Sequence, residues 1–210
     1  MQTKNTGKGG IRTVCIAWCV LLAGMLSGCG GKTEEKIEEP AEPFIITLDG
    51  NEVAVGCTMQ DLANKGYEFS DQSGKQFVTS ESGSMEYVYV AVADLSAEAE
   101  ANTVYVTIDM LKDMERVASI SATNSQENDI PFAECIVDSV AVYSSDEHID
   151  TVAVEGIPFE QLTAEALTEI YGEPKVSTDK SQKWTRGDYY FELGYQDGEL
   201  WYIRSSYTGV

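Results

Sequence analysis

The chain holds few side chains suited to catalysis. Its one histidine, His148, lies in the polar run Ser144-Ser145-Asp146-Glu147-His148. A Ser-His-Asp or Cys-His arrangement would have to use that residue as its base, and the setting predicts a solvated turn instead. The sequence contains no HExxH, phosphate-binding GxxxxGK[ST], GxSxG or GxGxxG. Acids alone can serve a glycosidase when two of them face one cleft. The candidates are Asp188, Glu192 and Glu199, close to aromatics, but acids on surface strands usually only solubilise. The run Gln126-Glu127-Asn128-Asp129 lacks the alternating oxygen ligands and the glycine of a calcium loop. No enzymatic role, metal or cofactor is expected from this inventory.

The five cysteines are more informative. Cys15 and Cys19 lie in an apolar run, Val14–Leu26, preceded by Lys4, Lys8 and Arg12. The run is shorter than the ~20 residues a spanning helix needs and suits the core of a signal peptide, residues 1–28. It ends at Leu26-Ser27-Gly28-Cys29, which resembles the lipobox of bacterial lipoproteins. The resemblance implies cleavage before Cys29 and transfer of a diacylglyceryl group to its thiol. Two or three acyl chains anchor stably, where one is marginal. The expected location is therefore the outer side of a cell membrane, with the membrane as partner through lipid on Cys29. Only Cys57 and Cys135 then remain, in a compartment that permits disulfides. They are either a disulfide pair or two buried thiols. Neither has CxxC or CxxH spacing, so zinc is not expected.

Formal net charge is −21, and none of the 35 acidic residues precedes Cys29. Three of the 14 basic residues do, so the chain from Cys29 on has 11 basic residues and a net charge of −24. Such a surface repels nucleic acid and anionic headgroups, and no nucleic-acid partner is expected. Residues 29–43 are rich in Glu, Gly and Pro and read as an acidic disordered tether. As a coil its ends would lie about 20 Å apart.

Folded structure is predicted from Phe44. Phe44–Leu48 reads as a strand, Asp49-Gly50-Asn51 as a turn and Glu52–Val55 as the returning strand. Thr58, with Asp61 three residues on, reads as a helix start, and Gly66 as its end. Strands are predicted over 76–79, 87–92, 104–108 and 117–122. The second half repeats the order, with strands over 135–143 and 151–154. A helix capped at Thr163 follows, with Leu167, Ile170 and Tyr171 as its buried stripe and Ala166 beside them. Gly172 and Pro174 stop it. Three strands complete the chain, over 183–186, 189–195 and 200–205, the last two joined by Asp197-Gly198.

Gly156-Ile157, then Tyr171-Gly172-Glu173-Pro174, Trp184 and the Asp-Gly hairpin, resemble one α+β unit shared by two families. These are the β-lactamase-inhibitor-protein-like domains and the SmpA/OmlA (BamE-like) outer-membrane-assembly lipoproteins. The likeness covers roughly residues 150–207; the first half matches only in element order. The whole chain is similar to tandem-unit lipoproteins of uncharacterised function in Firmicutes. The fold expected is α+β: two similar units, residues 44–125 and 132–210, each an antiparallel sheet with a short helix on one face.

With Asp197-Gly198 as the turn, an unbroken ladder pairs Tyr195 with Leu200, Leu193 with Tyr202 and Phe191 with Arg204. The opposite face then carries Tyr190, Trp201 and Ile203, with Trp201 across Gly194 and Glu192 opposite Ile203. Trp184, as an extension of that face, is the remaining candidate. This face either packs inside the protein or meets a partner, as the concave sheet face does in the inhibitor-like family. The function expected is a lipid-anchored binding module for a protein or ligand at the cell surface. A structural or assembly component of the envelope, as the SmpA/OmlA resemblance implies, is the alternative.

Overall fold

The structure, a computed structural model, describes residues 41–70, 75–79, 85–89 and 94–209. The expected leader, Cys29 and the expected tether up to residue 40 lie outside these residues, as do positions 90–92 of one predicted strand. Strand β1 (Ile45–Leu48) buries Ile46 and Leu48 and leaves Ile45 and Thr47 half-buried, the two-residue alternation of a strand with one face in a core. Asp49 and Gly50 both have positive φ, at 48° and 76°. That turn matches the twist of a tight hairpin and returns the chain as β2 (Asn51–Ala54).

Helix α1 (Met59–Asn64) begins with the expected cap. The Thr58 hydroxyl accepts from the Asp61 N–H at 3.1 Å, and the Asp61 carboxylate accepts from the Thr58 N–H at 2.9 Å. That second bond holds the Asp61 carboxyl below its ordinary range. Met59 and Leu62 face the core, and Gly66 (φ 87°) turns the chain out. Strands β3 (Glu68–Ser70), β4 (Lys75–Thr79), β5 (Met85–Tyr89) and β6 (Glu98–Ala99) follow. Next come β7 (Thr103–Lys112), β8 (Glu115–Asn124), β9 (Ile130–Pro131) and β10 (Ile136–Tyr143). A second short hairpin, β11 (Ala153–Val154) and β12 (Ile157–Pro158), leads to α2 (Ala164–Tyr171). The chain ends in β13 (Val176–Ser177), β14 (Ser181–Arg186), β15 (Tyr189–Gln196) and β16 (Glu199–Tyr207).

Thr163 caps α2 by accepting from the Ala166 N–H at 3.1 Å, and Gly172 (φ 77°) ends it, as expected. The predicted stripe needs one correction. Leu167 is buried and Tyr171 packs edge-on against Phe44 with ring centres 5.0 Å apart, but Ile170 is 46 % exposed. Residues 167 and 171 share an i, i+4 ridge, and Ile170 falls off its edge. The Trp184 indole N–H donates to the Gly172 carbonyl at 2.8 Å, tying the helix end to β14. The Tyr-Gly…Trp spacing in the sequence thus serves a helix-to-sheet joint.

Four strands form a small sheet in the order β12-β11-β1-β2, and eight form a large one, β13-β14-β15-β16-β10-β8-β7-β3, with antiparallel pairing throughout. Both sheets mix strands from the two halves of the sequence. One continuous core joins Phe44, Ile46 and Leu48 of the small sheet, Leu62 and Leu167 of the helices, and Ile120, Val140, Trp184, Phe191, Leu193 and Ile203 of the large one. Among the described residues no helix is long and apolar enough to cross a membrane.

The final hairpin departs from the unbroken ladder. Asp197 (φ 54°) and Gly198 (φ 88°) make the turn, and Tyr195 pairs with Leu200. The next pair is Gly194 with Tyr202, so Trp201 is an extra residue in β16, a bulge. From there on every partner shifts by one: Leu193 lies opposite Ile203, Phe191 opposite Ser205 and Glu192 opposite Arg204. The expected ladder would have set the Glu192 charge against Ile203. The bulge instead puts Leu193 and Ile203 together in the core and brings Glu192 to two cations. It also lays the Tyr202 ring over Gly194, where a Cβ would come within 2.0 Å of it.

A candidate binding site on the outer sheet face

The four residues expected to share one surface are divided, Ile203 by the bulge and Trp184 by its pairing opposite Phe191 in the regular β14–β15 ladder. Ile203 is 0 % exposed and Trp184 only 2 %, so both belong to the core and are out of a partner's reach. Tyr190 and Trp201 are on the second face of the large sheet, Tyr190 half-buried and Trp201 43 % exposed.

Two polar clusters occupy this outer face. In the first, the buried Glu192 carboxylate lies 3.4 Å from Lys183 Nζ and 3.9 Å from Arg204 Nη1. Lys183 also sits over the Tyr190 ring, 5.6 Å from its centre, and Arg204 over Tyr202 at 5.1 Å. Burial, with the Glu192 charge beside it, pushes the Tyr202 hydroxyl up to about 12. This cluster satisfies itself: one buried acid is held by two cations that lie on aromatic rings.

The second cluster lines a cleft of about 260 Å³ bounded by Thr107, Asp109, Arg116, Ser119, Tyr143, Ser145 and Trp201. Arg116 Nε donates to Asp146 Oδ1 at 2.7 Å, and its Nη1 lies 3.7 Å from the buried Asp109 carboxylate. The Asp146 carboxylate also accepts from the Tyr143 N–H at 2.8 Å. Burial nevertheless holds its carboxyl above the ordinary range. The guanidinium lies 5.7 Å from the centre of the Tyr143 ring. Trp201 meets Tyr143 and Tyr202 edge-on, at 5.6 Å and 5.7 Å. The bulge that adds Trp201 therefore turns its ring toward the cleft rather than the core.

A second irregularity shapes the opposite wall. The β7–β8 ladder skips between Tyr105 and Ile108, and Thr107 there has φ 59°. A β-branched residue in the left-handed region is strained, and such strain concentrates at binding and catalytic sites. The sequence reading missed Asp109, Arg116, Tyr143 and Asp146. One signal was present: Asp109 interrupts the apolar run Ile108–Leu111, and an acid inside a strand core requires a partner.

The other candidates lie elsewhere. Asp188 lies in the turn before β15 and Glu199 opens β16 opposite the far end of β15, while Glu192 is committed to its ion pairs. The three acids do not converge on a cleft. His148 is not simply solvated: Nδ1 lies 3.1 Å from Asp49 and Nε2 3.2 Å from Glu115, so the imidazole joins two hairpin turns. The hydrogen bond to Asp49 raises its pKa above 6.5. The loop at 126–129 is organised by buried Asn124, whose side chain donates to the carbonyls of Ala99, Glu100 and Asn128.

Cys57 and Cys135 are thiols, the first half-buried and the second buried. Burial raises the pKa of both. Thr58 bridges Ile136 antiparallel, which sets the two cysteines on a diagonal. Diagonal neighbours have Cα atoms ~7–8 Å apart, beyond the usual disulfide span. Among the described residues no group of three or more His, Cys, Asp or Glu is placed to hold a metal ion.

No protein-family model, curated protein or solved structure matches the chain.

Proposed function

We propose that the chain is a lipid-anchored binding module, held outside the cell membrane by acyl chains on Cys29, and that it binds through the outer face of its large sheet. The observation that carries this reading is Trp201, set by a bulge at the rim of a polar cleft with nearly half its surface in solvent. Tryptophan and tyrosine bury large area at small entropic cost and dominate binding energy where they are exposed. An insertion that served packing alone would hide the indole.

The reading of residues 44–125 and 132–210 as two similar units belongs to the same proposal. In support, each half contains a hairpin followed by a threonine-capped helix, a glycine and antiparallel strands, the second half adding β10 before its hairpin. The small sheet pairs β1 with β11 at its middle, and the large sheet sets β14-β15-β16 and β8-β7-β3 on either side of β10.

The test is photocrosslinking in living cells, with benzoylphenylalanine at position 201 and, as control, at exposed Glu160. The expected result is a discrete adduct from position 201 that position 160 does not give. Equal and diffuse labelling at both would remove the outer face as a binding surface.

A further inference from the structure

We propose that the cleft beside Trp201 is a subsite for one ring of a neutral saccharide. The inference rests on the reading of the outer face as a binding surface and names the ligand class.

Size gives the first argument. At about 260 Å³ the cleft falls just under the ~300–1,000 Å³ usual for small-molecule pockets. It has room for one ring, with the rest of a longer ligand outside.

The walls give the second. One side is aromatic, Trp201 with Tyr143. The other sides are lined by the polar residues Thr107, Ser119 and Ser145, with Arg116 and the buried Asp109. A pyranose has the matching division. One face presents C–H groups, slightly positive and apolar, which suit the negative face of an indole. Its edge presents hydroxyls that both donate and accept, and so can use a carboxylate, a guanidinium and other hydroxyls at once.

Charge gives the third and excludes the nearest competitors. Arg116 is held by Asp146 and stands 3.7 Å from Asp109, so its charge is answered within the protein. Among the described residues an anionic ligand would meet the Asp109 and Asp146 carboxylates beside Arg116, inside a chain of net charge −21. A cationic ligand would meet Arg116 itself. A neutral, hydroxyl-rich ligand meets neither obstacle. The Asp146 bond to the Tyr143 N–H, the Arg116 bond to Asp146 and the bulge at Trp201 fix three walls in advance. That lowers the ordering cost of binding.

The experiment uses the full lipidated chain in lauryldimethylamine oxide micelles, a detergent without sugar. Chitotetraose, cellotetraose, maltotetraose and mannotetraose are titrated separately by calorimetry, with Trp201 emission followed in parallel. Inorganic phosphate and arginine serve as charged controls. The expected result is saturable binding of at least one tetrasaccharide and of neither control. Affinity should fall about tenfold or more in Trp201→Ala and less steeply in Ser119→Ala. It should be unchanged in Glu160→Ala. Absence of saturable binding by all four sugars up to about 20 mM, well beyond a millimolar Kd, would overturn the saccharide assignment, as would equal binding by Trp201→Ala. If the sugars fail while position 201 still gives its discrete crosslink, the saccharide inference falls and the binding face stands; if both fail, both fall.

Discussion

Truncating Ile203 and Trp201 separately tests the register on which the outer face depends. Ile203→Ala removes a fully buried side chain opposite Leu193, and such changes cost ~2–5 kcal/mol, here about 3. Trp201→Ala removes a larger side chain, but one 43 % exposed, with edge contacts to the Tyr143 and Tyr202 rings among the described residues. Two ring contacts at ~0.5–1.5 kcal/mol each amount to about 1–3 kcal/mol, and with solvent free to fill the space the loss falls in the lower part of that range. A domain of this size shifts by ~2–4 °C per kcal/mol. Ile203→Ala should therefore lower Tm by about 6–12 °C, and Trp201→Ala by clearly less. The assay is urea unfolding of the chain from residue 30 onward, with thermal melts alongside. A larger loss for Trp201→Ala than for Ile203→Ala would refute the bulged register and return Trp201 to the core.

Three further outcomes follow from the same account. Cys29→Ala should free the protein from membranes or leave it as an uncleaved precursor, read by fractionation and blotting; a cleaved mutant still held by membranes contradicts lipidation. His148, whose folded pKa lies above the ordinary 6.5 through its bond to Asp49, contributes stability that is complete below about 6.5 and lost as pH rises through the folded value. The Tm gap between the unmodified protein and His148→Ala should shrink from about pH 5.5 to about pH 8.5, and a constant or widening gap would remove the bridge as its cause. Cys57 and Cys135, both raised by burial, should react slowly with a disulfide reagent in the folded protein and give two thiols after unfolding without reductant; no thiols after unfolding would mean a disulfide.

What could be read from the sequence was local. Thr58 with Asp61, Thr163 with Gly172, and Asp197-Gly198 fix caps and turns within a few residues, and each does in the structure what its type predicts. The bulge at Trp201 has no such local mark. Its position is decided by pairings made only on folding, Glu192 with Lys183 and Arg204, Tyr202 over Gly194, and Leu193 with Ile203. A shift of one residue exchanges the faces of a strand, so that single insertion moved Ile203 inward and left Trp201 in solvent. The cleft was hidden for a related reason. Asp109, Arg116, Tyr143 and Asp146 come from three separate stretches and meet only because β10 lies beside β8 in the large sheet. The union of both halves in shared sheets is likewise a long-range pairing that periodicity does not report.

The central claim is that the outer face around Trp201 is occupied where the protein works. Hydroxyl-radical footprinting tests it directly, comparing the purified chain with the same chain on intact cells and reading tryptophan oxidation by mass spectrometry. Buried Trp184 should stay unmodified in both samples and serves as the internal standard. Trp201 should oxidise readily in the purified protein and be protected several-fold on the cell. Equal oxidation of Trp201 in the two samples would contradict the account.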